Sequence, residues 1–258
     1  MVYRRLERRM QARSTALLSS MEAGLDRMLV AWLLIAGLAC AARMAAAPAP
    51  LAGASLTSAV PYVLVVLAPL VSTVLALRWF ADADRHPQPA TRLSVIGRWR
   101  SVSAGEARRH PLYGASGVMV SLLVGILLNV PVRAAEFLAA IPPIPSGAPA
   151  WLSTLQIAMT LDVLVFTSLY TIAFVAALKR LPLFPRLLVA IWLCDLAVQL
   201  LIGNVVARSP GLPVAVASAL HGLLAGNVSK VLISASLWLP YLLLSTRVNV
   251  TYRHRLPA

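Results

Sequence analysis

The chain is poor in acid, lysine, histidine and cysteine. Of its 258 residues only nine are Asp or Glu, four are His and two are Cys, and charged residues make up 12%. Two cysteines, Cys40 and Cys194, each inside an apolar stretch, exclude a disulfide framework and fit free thiols acting as small hydrophobes. His86, His110 and His254 lack ligand spacing, so no metal site is read. No Walker loop or dinucleotide fingerprint is present either, and no cofactor is expected.

What the chain has instead is apolar length. Hydrophobic residues reach 59%, with a mean hydropathy of +0.79. Its formal net charge of +14 invites a nucleic-acid reading, yet the basic residues fall in short segments between apolar runs, as at the flanks of membrane helices. Nucleic acid is therefore not an expected partner. All but Lys179 and Lys230 are arginine.

Runs near the ~20 residues needed to cross a bilayer occur at about 28–47, 59–80, 114–140, 151–178, 187–207 and 219–245. The expected fold is all-α, a polytopic membrane bundle of about six spans. The third run contains Pro131, which predicts a kink or early end with Arg133 and Glu136 near the surface. Nineteen Lys and Arg residues fall on one side of this map, against Arg43, Arg133 and Arg208 on the other. The positive-inside rule then puts both termini in the cytoplasm, and Trp79 and Trp151 fall at span ends where aromatic rings favour the headgroup level.

Domain boundaries follow: a basic cytoplasmic leader at 1–27, a two-helix unit at 28–80, a basic cytoplasmic loop at 81–113 with Pro87, Pro89 and Pro111, a four-helix unit at 114–245 and a basic tail at 246–258. The leader, with Leu6, Met10, Leu17, Leu18 and Met21 among arginines, reads either as an amphipathic segment on anionic headgroups or as a disordered topogenic leader. A signal peptide ending at Ala45-Ala46-Ala47 is disfavoured by the long leader and by Pro48.

Several segments after residue 113 carry a likeness. They are Gly117-Val118-Met119 through Gly125-Ile126 to Pro131-Val132-Arg133; Phe184-Pro185-Arg186; Lys230, eight residues ahead of Trp238; and Trp238-Leu239-Pro240-Tyr241 with Ser245-Thr246-Arg247-Val248 and Thr251-Tyr252. Over residues 114–255 the chain resembles the YdgK-like group of small bacterial inner-membrane proteins, a domain of unknown function. The resemblance implies a four-helix membrane domain with cytoplasmic ends and brings no activity. It leaves the first two spans unexplained.

Asp162, Asp195 and Lys230 lie inside the spans. An ionisable residue there costs roughly 2.5–3.5 kcal/mol at a helix centre, so it is expected to face protein or water and to pair. By i, i+4 spacing Gly226, Asn227, Lys230, Ser234 and Tyr241 form one stripe, and Trp192, Asp195 and Gln199 another. Ser153, Gln156, Thr160, Thr167 and Thr171 form a third, with Asp162 nearly opposite. At about 1.5 Å per residue the three charges reach similar depth, and a Lys–Asp pair is expected. Asp162, Asp195, Lys230, Gln199 and Asn227 are thus a candidate intramembrane cluster, either an interhelical fastener or an ion pathway. Gly117, Ser121 and Gly125, with Asn129 one step on, form a small-residue surface for packing within the chain or between copies.

Gly114-Ala115-Ser116-Gly117 matches an intramembrane serine-protease motif, but His221 falls near the opposite membrane face, out of reach of Ser116. The sequons at Asn227 and Asn249 are within a span and cytoplasmic. The sequence therefore favours a non-enzymatic inner-membrane protein, with the bilayer, anionic headgroups, and a second copy or another membrane protein as partners. The alternative is a small transporter or channel.

Overall fold

The computed structural model describes residues 2–46, 56–83, 86–89, 97–144 and 147–258, with backbone alone for 2–12, 56 and 57. Ala47 and Pro48, like the side chains of Leu6 and Met10, lie outside the described residues.

Helix α1 (Val2–Ala23) precedes α2 (Leu25–Ala45) and α3 (Leu56–Trp79). A short strand β1 (Trp99–Ser101) and a helical turn α4 (Ala104–Arg109) follow within the basic connection. Four long helices come next: α5 (Val118–Ala140), α6 (Ala150–Leu178), α7 (Phe184–Ala207) and α8 (Val214–Leu244). The chain closes with α9 (Thr246–Arg253) and β2 (Arg255–Pro257), which pairs antiparallel with β1. Among the described residues, helices α2, α3, α5, α6, α7 and α8 are the six long and apolar enough to cross a membrane. The fold is an α-helical membrane bundle.

Helix α6 is central, packing against α3, α5 and α7. Its buried Ala173, Ala176 and Ala177 let neighbouring backbones come close, which matters where lipid removes the hydrophobic drive between helices. Helix α8 leans on α7, and α2 on α3 and α5. The outward surface is apolar, with Ile35, Leu38, Leu161, Leu193, Leu201 and Ile233 all exposed, as expected for side chains solvated by lipid tails. Cys194 shares that exposure, whereas Cys40 is buried and its thiol donates to the Tyr62 carbonyl at 3.7 Å.

Two of the expectations change here. Helix α5 runs unbroken through Pro131, because membrane helices re-satisfy the backbone group that a proline frees. The leader is helical and attached: Gly117 N donates to Ser14 Oγ at 2.8 Å and Leu18 enters the core. The small-residue row on α5 divides: Gly117 packs within the chain against the leader, while Ser121 and Gly125 are exposed.

The tail folds back over the start of α5. Arg247 Nη1 donates to Ser116 Oγ at 2.6 Å and to the Leu112 and Gly114 carbonyls at 3.2 and 3.3 Å. Thr251 Oγ1 accepts from Gly114 N at 3.0 Å, and Tyr252 OH donates to the Ala177 carbonyl at 2.9 Å while its ring lies 5.0 Å from Phe184. The tail and the segment that leads into α5 thus meet in space. Asn249, within one of the sequons, is fully buried here.

Candidate functional site

Two apolar clusters make up the core. One gathers Met119, Leu123, Phe166, Phe174 and Leu188 toward the α9 end; the other gathers Tyr62, Phe137, Met159, Val163 and Val206 toward the opposite end. Arg133, Asp162 and Asp195 occupy the seam between them. Each sits one helical turn from residues of both clusters or next to them, so helix periodicity turns them inward.

Arg133 of α5 joins the two carboxylates. Its Nη1 donates to Asp162 Oδ2 at 2.8 Å and its Nη2 to Asp195 Oδ2 at 2.7 Å. The guanidinium also lies over the Phe166 ring, 4.8 Å from its centroid, a cation–π contact that offsets lost hydration. Gln199 Nε2 donates to Asp162 Oδ1 at 2.8 Å and Asp195 Oδ1 at 3.2 Å, and Tyr170 OH donates to Asp195 Oδ2 at 3.0 Å. Every carboxylate oxygen therefore accepts at least one hydrogen bond. Burial is nearly complete, with Asp195 at 0%, Gln199 at 1% and Asp162 at 3% exposure.

The network continues outward through α8. Asn227 Nδ2 donates to Gln199 Oε1 at 3.3 Å, and Lys230 Nζ donates to Asn227 Oδ1 at 3.3 Å and also to Glu136 Oε1. A chain of polar contacts thus runs from the sealed carboxylates to an ion pair at the bundle surface. The Lys230 side chain is 52% exposed and Glu136 26%.

Asp162, Asp195, Gln199 and Asn227 all meet in this network, but the anticipated Lys–Asp pair is absent. Arg133 takes that place, and Lys230 pairs with Glu136 instead. The reason lies in α5: because Pro131 does not end the helix, Arg133 and Glu136 stay inside the span rather than near its surface. Two in-span carboxylates called for a cation, and Arg133 was available at matching depth. Tyr170 gave no comparable signal, since a tyrosine in an apolar span is ordinarily core. The anticipated α8 stripe also divides, with Asn227 buried and Lys230 half exposed.

The remaining candidates are separate. Phe184, Pro185 and Arg186 begin α7, while Trp238 packs edge-on to Tyr241 at 5.9 Å one turn before the tail. Pro240 lies within α8, and Ser245 precedes α9 with Val248 buried beneath it. Ser116 is engaged by Arg247 at the start of α5, whereas His221 is near the start of α8, at the other end of the bundle. No group of His, Cys, Asp and Glu suited to a metal occurs among the described residues.

No family model, curated protein or solved structure matches this chain. The site must be read from its own chemistry. Packed as it is, the Arg133 network joins α5, α6 and α7 in directional bonds, and Asn227 adds α8. Large cavities beside it are apolar: one of about 440 Å³ between α6 and α7, the other of about 410 Å³ among α2, α3 and α5.

Proposed function

We propose that this chain is a non-enzymatic component of a bacterial inner membrane, with both termini cytoplasmic, that associates with a second copy or another membrane protein through the face shared by α5 and α8. The observation that carries this is the Lys230–Glu136 ion pair, which stands half exposed within the spans. A charge left facing hydrocarbon costs roughly 2.5–3.5 kcal/mol, so such groups are covered by protein or water. Around it α8 presents small exposed residues, Gly222, Ala225 and Ser229, and α5 presents Ser121 and Gly125. These permit close approach by another helix. The arginine-rich connections and tail fit an anionic leaflet, and the likeness to the YdgK-like group agrees with an inner-membrane location without adding an activity.

The experiment is gentle solubilisation of tagged protein, followed by native mass spectrometry and identification of co-purifying chains. A stable homo-oligomer or a stoichiometric membrane partner that is lost in Lys230→Met is expected. A monodisperse monomer with nothing bound, unchanged by Lys230→Met, would remove the proposal.

A second reading, a small transporter or channel, draws on the unbroken polar chain from Asp162 and Asp195 through Gln199 and Asn227 to Lys230. It requires ion or proton flux in proteoliposomes that Asp195→Asn abolishes while the fold persists. Flux that is unchanged in that variant argues against it.

A further inference from the structure

A small polar cleft lies between α5 and α8, separate from the apolar cavities. Its volume is about 60 Å³, and Gly125, Asn129, Tyr170, Lys230 and Ser234 line it. Asn129 Oδ1 is buried and has no hydrogen-bond partner among the described residues. An orphaned carbonyl oxygen of this kind loses its hydration without compensation unless something donates to it. A cavity holds water when it has room for at least one molecule and offers it two to four polar partners. This one meets both conditions.

The surrounding groups match water's hydrogen bonding. Asn129 Oδ1 needs a donor. Lys230 Nζ has three protons, of which Glu136 and Asn227 take two, leaving one to give. Ser234 contributes a hydroxyl able to do either. Tyr170 spends its proton on Asp195 Oδ2 at 3.0 Å, and its oxygen retains acceptor capacity.

We propose that the α5–α8 cleft is a hydrated site, open to small polar solutes from the α9 end of the bundle, which brings water to within one side chain of the sealed carboxylates. Tyr170 is the shared wall: it lines the cleft and donates to Asp195. The direction of access follows from depth. Trp238, at the cleft's far edge, is six residues from the α8 end at Leu244 and Lys230 fourteen, or ~9 and ~21 Å at 1.5 Å per residue.

Cysteine accessibility tests it. In protein lacking Cys40 and Cys194 and reconstituted in vesicles, the reagent is methanethiosulfonate ethyltrimethylammonium, a fixed cation that does not cross the bilayer and reacts with the thiolate that forms only where water reaches. Ser234→Cys should react at least ten-fold faster than Ile233→Cys, whose native side chain is 68% exposed on the apolar surface, and it should do so from the α9 side. Equal rates, or reaction only from the other side, would overturn the site. Gly125→Cys provides a second probe, because a Cβ there meets no atom within 4 Å. Adding Gly125→Leu to Ser234→Cys should fill the cleft and slow labelling at least ten-fold. Labelling unchanged by that plug, with melting curves matching the parent, equally overturns it.

Discussion

Tyr170 and Arg133 converge on one oxygen, Asp195 Oδ2, at 3.0 and 2.7 Å. A neutral donor from α6 and a charged one from α5 thereby hold a carboxylate of α7. Three helices are tied at a single atom, and a change at any of these side chains should be felt in the other two.

The first prediction concerns that atom's cation. Removing one partner of a buried pair costs about 3–5 kcal/mol because it leaves the other charge uncompensated. Arg133→Met should therefore lower folded yield and thermal stability in detergent sharply, while a double change with Asp195→Asn recovers part of the loss. Arg133→Lys should fall between, since one ammonium lacks the fork that spans two carboxylates. Equal stability of Arg133→Met and the parent would mean that the network does not fasten the bundle.

Lys230→Met should behave differently. Its side chain is half exposed and its partner Glu136 lies near the surface of the bundle, so the folded monomer should tolerate the change better than Arg133→Met. The comparison of melting midpoints for the two variants checks this ordering.

Arg247→Ala should release the tail. It loses the Nη1 contacts to Ser116, Leu112 and Gly114, which share two protons; a hydrogen bond with one charged partner contributes about 1.5–3 kcal/mol. Hydrogen exchange should accelerate over residues 246–258 and at the start of α5, while amides around Asp195 stay protected. Uniform exchange across the chain would contradict a local latch.

Gly117 should resist substitution. It has φ of +69°, a backbone conformation that side chains rarely adopt, so Gly117→Ala carries strain of about 1–3 kcal/mol, although a Cβ there would only reach ordinary contact with Arg247 Nε at 3.6 Å. A lowered melting midpoint is expected, smaller than that of Arg133→Met.

Alkaline pH should weaken the tail through Tyr252. Burial is the main cause that pushes its phenol upward in pKa, so the folded state keeps it neutral where an unfolded tyrosine ionises, near pH 10. Its contribution is fully present below about pH 10 and declines as pH rises above that value, toward the folded pKa. Melting midpoints measured from pH 8 to 12 should fall more steeply for the parent than for Tyr252→Phe, and identical slopes would rule out this residue as the source.

Much of the bundle was legible beforehand because the bilayer imposes a length: the six apolar runs correspond to α2, α3, α5, α6, α7 and α8 with ends shifted by a few residues. Periodicity also grouped Trp192, Asp195 and Gln199, which are buried together on α7. Pro131 misleads, because a proline that ends a helix in water is accommodated in one in lipid, and Arg133 and Glu136 stay within the span. Depth alone then selected Lys230 as the partner of the carboxylates.

By itself the sequence determined the solvent, the spans and which helix faces carry polar atoms, because hydrophobic length and helical period are local properties of a chain. Which cation meets which carboxylate was decided only by the tertiary structure, since that depends on the neighbours and tilt of each helix. Packing placed α5 with α6 and α7, sealing Arg133 between Asp162 and Asp195. It left α8 leaning on α7, with Lys230 lining a polar cleft and paired to Glu136.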